Sequence, residues 1–250
     1  TIALTGLGQR GYNEQYFFGE ITRLLKNATD SQEQQAAIYV LRNYNSQKAV
    51  DTLLPFLNHK DASIRETTAF SLGNKMNAYP KIEKPMQAAL KDNNEWVRRQ
   101  AVINFGSFNS NLDSYKQKEI TRLIENALKD PSPFVRQTAI EAFKFIPKAH
   151  IPDLTPHLKD NDWRVRQVTV DVLGATNNPK FINPIIPKLK DEAWQVRYSA
   201  VETLGKINGP RIIDLLIPRL HDESQSVRDA AKFSLAQKIV DNPALVKAYP

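Results

Sequence analysis

Cysteine is absent from the 250 residues of the sequence, which excludes disulfide bonds, thiolate nucleophiles and cysteine-ligated zinc. Histidine is scarce, and the four histidines form no H-x-x-H, H-E-x-x-H or His-Glu pattern. The sequence also lacks a nucleophile elbow, and no apolar run approaches the roughly 18 residues of a membrane-spanning helix. Local motifs therefore predict no catalytic residue, no metal ligand, no cofactor and no transmembrane segment.

What the sequence does contain is one pattern that recurs along most of the chain and is clearest at residues 158–174. Around its arginine the pattern has a Leu, an Asp two residues on, a variable turn, Val-Arg, a small residue, and then Leu or Phe. The arginine, or the residue that replaces it, stands at positions 34, 65, 98, 136, 166, 197 and 228. These positions are 31, 33, 38, 30, 31 and 31 residues apart, and this regularity indicates a repeat architecture.

Within each copy the apolar spacing is helical. Counted from Val165 as position zero, apolar or small residues fall at positions zero, four, five and eight, which form one face of an amphipathic helix. A second apolar segment precedes the Asp of each copy, so each unit is predicted to be a helix, a short turn and a second helix. Copies must stack, because a single helix pair cannot bury both of its faces.

Turn residues refine this prediction. The Asp is placed either to cap the second helix or to meet an arginine at the turn. Gly174 and Gly205 are interpreted as left-handed residues at helix C-termini. Prolines near the end of the first helix are expected to shorten or kink it in four copies, at positions 55, 156, 187 and 218.

The unit L-K-D-x-x-x-x-V-R-x-x-A-x-x-x-L-G closely resembles the short bacterial HEAT repeat, the subtype also found in phycobilisome lyases. The resemblance covers about residues 21–241 and is best over 128–236. It implies an all-α fold, an α-solenoid of about seven stacked helix pairs over residues 21–242, followed by a C-terminal tail at 243–250. For function it implies little, because such repeats serve scaffolds, adaptors, lyases and a few other enzymes. The hydroxylase built on HEAT-like repeats binds iron through repeated His-Glu pairs, which this sequence lacks.

The first twenty residues do not fit the repeat. They contain Gly6-Leu-Gly8-Gln-Arg-Gly11, but this G-x-G-x-x-G fingerprint binds phosphates only within a parallel βαβ unit, and nothing downstream indicates a parallel sheet. We interpret residues 1–20 as an extension whose aromatic residues cap the first repeat: Tyr12, Tyr16, Phe17 and Phe18. Because the sequence begins with Thr1, we expect that an upstream segment was cleaved or omitted, and both a cytoplasmic and an exported location stay open.

The net charge of +7 raises the alternative of a nucleic-acid partner. Six repeat arginines, from 65 to 228, recur with acids at 61, 92, 130, 160, 191 and 222, and we predict that they form a ladder of ion pairs between successive units. These charges cancel, so the excess stays with lysines that are scattered along the chain. A protein partner is therefore favoured over nucleic acid, and a phycobilin-lyase-like enzyme is a further alternative that rests on the resemblance alone.

Aromatic residues precede the Val-Arg pair in four consecutive copies: Trp96, Phe134, Trp163 and Trp194. They could be exposed anchors for a partner, because Trp is enriched in binding hot spots. The interpretation favoured by their fixed register is structural, with each ring filling the seam between neighbouring units.

The candidate partner-binding residues lie on the second helices, which line the concave face of a HEAT-type stack. Positions two and six point away from the buried stripe and are neighbours on one face. Position six carries Glu141, Asp171 and Glu202, and position two carries Gln137, Gln167 and Tyr198. This acidic row, bordered by Phe70, Ile103 and Phe233 in the outer copies, could receive a basic or hydrogen-bonding segment. We therefore predict a non-catalytic scaffold that binds a protein, with a solvated polar face as the structural alternative.

Overall fold

The structure is a computed structural model that describes residues 14–107, 114–146, 151–207 and 210–241. Within these ranges the chain forms thirteen α-helices and no β-strand. It divides into two compact units, residues 1–127 and 128–250. The glycine fingerprint at 6–11, Tyr12 and the expected tail at 243–250 lie outside the described residues.

The first unit contains α1 (Glu14–Asn27), α2 (Ser31–Leu41), α3 (Gln47–Leu53), α4 (Ala62–Gly73), α5 (Glu83–Ala89), α6 (Glu95–Ser107) and α7 (Ser114–Ala127). The second helices α2, α4 and α6 pack on one another in chain order, and α1 packs on α2. Phe18 of α1 is buried and meets the ring of Tyr44 edge-on at 5.4 Å, whereas Tyr16 is exposed. Part of the expected aromatic cap therefore packs on the first repeat.

The second unit contains α8 (Pro133–Ala142), α9 (Trp163–Ala175), α10 (Ile182–Ile185), α11 (Trp194–Gly205), α12 (Pro210–Leu216) and α13 (Gln225–Asp241). Its second helices α8, α9, α11 and α13 also pack in chain order. Each of the seven second helices in the described ranges carries one of the marker positions found in the sequence. The predicted all-α fold of repeated helix pairs is confirmed.

The cores of both units are built from the helical stripe. In α9 the residues at positions zero, four, five and eight are all essentially buried, and the same positions of α11 are fully buried. The four prolines lie at the second residue of 3-10 segments, Leu54–Asn58, Thr155–Lys159, Ile186–Lys190 and Ile217–His221. Proline fixes φ and lacks an N–H, so the first helices are short, as predicted.

Four arginines of the ladder link successive copies within the two units. Arg166 donates from Nε and Nη2 to the two carboxylate oxygens of Asp191, at 2.9 and 2.7 Å, while its Nη1 donates to the carbonyls of Asp160 and Asn161 in its own turn. The same bidentate arrangement joins three other pairs: Arg65 with Asp92, Arg136 with Asp160, and Arg197 with Asp222. The predicted ion pairs between successive units are confirmed for these four.

The first copy replaces its arginine by Gln34 and keeps part of the bonding. Gln34 Nε2 donates to the carbonyl of Ala28, six residues back, as each ladder arginine does to its own turn. The carboxylate of Asp61, which an arginine would pair, instead accepts a hydrogen bond from the hydroxyl of Ser31 at 2.7 Å. Two neutral side chains, Gln34 and Ser31, thus make contacts that a single arginine makes in other copies.

The interpretation of Gly174 and Gly205 as left-handed caps is wrong. Both lie at the ends of right-handed helices, and the positive φ after α9 belongs to Asn177, at 53°. A Cβ built on Gly174 would lie 2.5 Å from Cγ2 of Thr203 on the next second helix. These glycines are needed because neighbouring second helices approach each other closely there.

Candidate functional site

A shallow groove of about 310 Å³ crosses α9 and α11 in the second unit. Gln167 and Asp171 of α9 line it together with Tyr198 and Glu202 of α11, because positions two and six of a helix lie one turn apart on the same face. All four side chains are half-buried. The structure therefore brings together four of the six residues predicted for partner binding.

The remaining two predicted residues, Gln137 and Glu141, lie on α8. Both are half-buried, and Gln137 Nε2 donates to Glu141 Oε1 at 3.1 Å. Glu141 raises the pKa of Asp171 through its charge, so the two carboxylates lie within electrostatic reach of each other. The row of acids on α8, α9 and α11 is thus continuous.

The surroundings of Asp171 in the groove shift the pKa of its carboxyl group. Burial raises the pKa of its carboxyl group above the ordinary value, and a hydrogen bond with Ser199 and the charges of Lys144 and Lys206 partly oppose this effect. Both lysines are exposed and line the groove. The sequence pattern suggested a uniformly acidic row. The groove instead combines carboxylates with two lysines at its rim.

A second, more apolar cavity of about 270 Å³ adjoins this groove. It lies between the C-terminal ends of α9 and α11 and the short α10, and Gly174, Thr203 and Lys206 line both spaces. Its apolar wall consists of Leu173, Pro179, Phe181, Ile182, Ile185 and Ile207. Sequence reasoning missed this cavity, although the four-residue length of α10 could have been suspected from Pro184 and Pro187.

The corresponding face of the first unit has a different chemistry. Tyr39 and Phe70, both at position six, stack with ring centroids 6.3 Å apart beside a groove of about 550 Å³. The guanidinium of Arg42 lies 4.1 Å from the Phe70 centroid. Phe70 was predicted as an apolar border of the acidic row; it lies on this aromatic surface of the first unit, and its place beside the row stays a prediction.

The four aromatic residues before Val-Arg do not behave alike. Trp96 is 37% exposed and Trp194 is 43% exposed, so both rings are partly open to solvent, and their role as anchors or as seam residues stays a prediction. Phe134 and Trp163 are half-buried, and Arg164 of α9 lies with its guanidinium 4.3 Å from the Phe134 centroid. Phe134 therefore contacts the next copy, as a seam residue would.

The histidines do not form a metal site in the described residues. His59 Nδ1 accepts a hydrogen bond from the backbone N–H of Asp61, and His221 is exposed. His157 is half-buried, and burial lowers its pKa. His150 lies outside the described residues. No group of three or more His, Asp or Glu residues that could hold a metal ion occurs in the described part of the chain.

These helix pairs define an α-helical repeat protein of the solenoid class. Residues 151–236 match the family described as HEAT repeats, and residues 62–154 match the family of the non-SMC mitotic condensation complex subunit 1. The HEAT-repeat match lies within the stretch where the sequence pattern is clearest, and the resemblance read from the sequence is confirmed there.

Solved structures share this fold. The Escherichia coli protein YibA is 22% identical. Its superposition has a TM-score of 0.64 and covers 89% of this chain and 86% of that one. Importin beta is 17% identical. Its superposition has a TM-score of 0.61 and covers 89% of this chain and 36% of that one. None of the described helices is long and apolar enough to cross a membrane.

Among curated proteins, deoxyhypusine hydroxylase-B of Oryza sativa subsp. japonica is 29% identical over 130 residues. The match covers 51% of this chain and 40% of the relative, so the chain spans less than half of that protein's length. A hydroxylase of this kind would need iron ligands. The residues present do not fit them, because the sequence contains no His-Glu pair and the described residues contain no metal-binding cluster.

Proposed function

We propose that this chain is a non-catalytic scaffold that binds a protein partner across α8, α9 and α11. The observation that supports this function is the groove in which Gln167, Asp171, Tyr198 and Glu202 lie side by side. Half-buried carboxylates, an amide and a tyrosine offer hydrogen-bond acceptors and one large apolar ring within a single concavity. A polypeptide can use all of these groups at once.

The charge of the groove favours a peptide over a nucleic acid. Phosphates would meet Glu141, Asp171 and Glu202, which are held between two lysines. A peptide that presents N–H groups or a basic side chain would instead satisfy these carboxylates. Asp171 gains most from such a donor, because burial already disfavours its charged form.

Affinity purification from the source organism, followed by mass spectrometry, identifies the partner, and a charge reversal tests its site. Glu141, Asp171 and Glu202 are replaced together by Lys, and we expect partner capture to fall at least tenfold while the melting temperature stays close to that of the parent. The matched control replaces three exposed acids outside the groove by Lys and makes the same change of net charge: Glu33, Asp51 and Asp229.

The two variants separate a site from a general charge effect. Loss of capture in the groove variant alone supports the proposal. Equal loss in both variants would assign binding to long-range charge, and unchanged capture by a folded groove variant would show that the groove is not the binding surface.

A further inference from the structure

Among the described residues two lysines are almost fully buried, and both stand at position eleven, counted from the first buried residue of their second helix. They are Lys75, which is 2% exposed, and Lys238, which is 4% exposed. Lys75 Nζ donates to the carbonyls of Arg42 and Tyr44, at 2.7 and 2.9 Å, just beyond the end of α2. Lys238 Nζ donates to the carbonyl of Ile207, just beyond the end of α11.

The two contacts are equivalent in the repeat. Each lysine reaches back to the preceding copy and places its ammonium group at the C-terminal end of that copy's second helix. Tyr44 and Ile207 are both at position eleven of their own copies. A helix C-terminus carries partial negative charge on its last carbonyls, so a cation stabilises it there.

At the end of α9 the corresponding residue is Ile207, which has no side-chain donor. This is the place of the cavity of about 270 Å³, and Ile207 forms part of its wall with Leu173, Ile182 and Ile185. The four-residue α10 contributes Ile182 and Ile185 to this wall, and the 3-10 segment before it contributes Pro179 and Phe181. The cavity thus lies where two of the seven copies place a lysine, Lys75 and Lys238, and where this copy has Ile207 instead.

The size and lining of the cavity fit one long side chain. Pockets for small molecules usually exceed about 300 Å³, and this one is slightly smaller. Its apolar wall suits an aliphatic stem, and its polar edge includes Gly174 and Asn177 at the end of α9. Lysine combines such a stem with a compact ammonium group, whereas the guanidinium of arginine is a wider planar group.

We propose that the cavity at the end of α9 receives a lysine side chain of the protein partner, which occupies the place that Lys75 and Lys238 fill elsewhere from within the chain. This inference rests on the proposed function and names the residue that the partner presents. The adjoining groove adds charge complementarity, because Asp171 and Glu202 line it and the groove shares Gly174 and Thr203 with the cavity. Lys206, on the shared rim, is exposed and can turn towards solvent.

The test uses n-pentylamine, which is an ammonium ion at pH 7, as a probe of the lysine side chain, and n-pentanol as its neutral match. Backbone amide shifts of the ¹⁵N-labelled chain are followed during each titration. We expect saturable shifts around Gly174, Asn177 and Ile207 with a millimolar dissociation constant, and binding of the alcohol at least tenfold weaker.

Ile207→Lys supplies the missing lysine from within the chain, and Ile207→Met is the apolar control. We expect the lysine variant to melt at or above the parent temperature and to bind the amine at least tenfold more weakly, whereas the methionine variant binds it within about threefold of the parent, since Met is close to Ile in volume. Equal binding of amine and alcohol, no saturable shift up to about 50 mM amine, or full binding by the lysine variant would each overturn the inference.

The outcome is separable from that of the proposed function. Amine binding is measured on the chain alone, whereas the charge reversal measures capture of a partner. If capture depends on the groove while the amine does not bind, the scaffold function stands and the lysine inference fails. If the amine binds but no partner depends on the groove, the cavity accepts an ammonium group and the proposed function fails.

Discussion

At the scale of single residues, four of the ladder arginines contribute to two copies at once: Arg65, Arg136, Arg166 and Arg197. Arg166 and Asp191 are both buried in the side chain, at 7% and 5% exposure, and their bidentate geometry satisfies both carboxylate oxygens. Burial would raise the pKa of Asp191, but hydrogen bonds from Arg166, the backbone N–H of Ala193 and Lys188 together lower it. Lysine could not replace the arginine, since only the guanidinium fork reaches the carboxylate and the turn carbonyls together.

Arg166→Ala should therefore lower the free energy of unfolding by about 1–3 kcal/mol, the range for losing charged hydrogen bonds in a packed turn. Arg228→Ala is the control, because in the described residues Arg228 donates only within its own turn, to Asp222, Glu223 and Gln225. Urea denaturation measures both. Equal losses would show that the bond between copies contributes little, and an unchanged melting point with lost partner binding would move Arg166 to the binding site.

A second prediction concerns Asp61, whose pKa is lowered to about 2 by hydrogen bonds from the hydroxyls of Ser31 and Ser63 and the backbone N–H of Ser63. A carboxyl group whose pKa is lower in the folded state stabilises the fold above its unfolded pKa, and this contribution is lost as pH falls through the folded pKa. Asp61 thus stabilises the fold fully above about pH 4 and loses this effect towards pH 2.

Ser31→Ala removes the first of these donors and should raise the pKa of Asp61 towards its ordinary value. An NMR titration of the Asp61 carboxyl carbon measures this, and the pH dependence of stability between pH 2 and 4 should become shallower. Thr52→Ala is the control, since the hydroxyl of Thr52 donates to the carbonyl of Lys48 within α3 and not to Asp61. A pKa that stays near 2 in Ser31→Ala would contradict the prediction.

At the scale of helices, the sequence predicts the second helices well and their contacts poorly. Val165, Val170 and Leu173 are spaced so that only one helical face can be buried, and this is a local property of the chain. The close approach of Gly174 to Thr203 depends on how two helices pack, which no local pattern specifies. For the same reason a left-handed cap was the plausible but wrong interpretation of that glycine.

The packing role of Gly174 predicts the direction in which a substitution there changes the stability of the fold. Gly→Ala in a helix interior ordinarily stabilises by about 0.5–1 kcal/mol. Gly174→Ala should instead destabilise, because its Cβ would meet Thr203 Oγ1 at 2.7 Å. In the double variant Gly174→Ala with Thr203→Ala, most of the loss should be recovered, since the Thr203 atoms nearest to the new methyl group are removed. Additive effects of the two substitutions in a double-mutant cycle would contradict the contact.

For the candidate site, the sequence predicted the acids of the row but not what surrounds them. The helical period alone places Asp171 on the unburied face of α9 and Glu202 on the same face of α11. The groove brings the two residues together. Lys144 and Lys206 stand at positions nine and ten, where a helix ends and its last turn is not fixed by the period. The apolar cavity depends on how α10 packs against the ends of α9 and α11, and its correspondence to the places of Lys75 and Lys238 becomes visible only when the copies are compared in space.

At the scale of the whole chain, stability in a repeat protein is mainly a sum of copies and of contacts between neighbours. The ladder supplies such a contact at four steps. Its arginines are buried in these contacts, and Arg65, Arg166 and Arg197 are each less than 10% exposed. The charges of these arginines and of the aspartates that they bind cancel, so the formal charge of +7 comes from residues outside the ladder. The remaining excess belongs to lysines without a dense run.

We accordingly predict that the chain does not bind nucleic acid tightly. In a mobility-shift assay at physiological salt, single- and double-stranded DNA and RNA should all bind more weakly than about 1 µM, which is the non-specific range. The variant with Glu141, Asp171 and Glu202 replaced by Lys is the comparison, because it converts the groove into a basic surface on the same fold. Its affinity should exceed that of the parent and fall steeply with salt, since each phosphate neutralised releases counterions. Submicromolar binding by the parent would overturn the prediction, and a steep salt dependence in the parent would place a basic surface on this chain that the ladder does not account for.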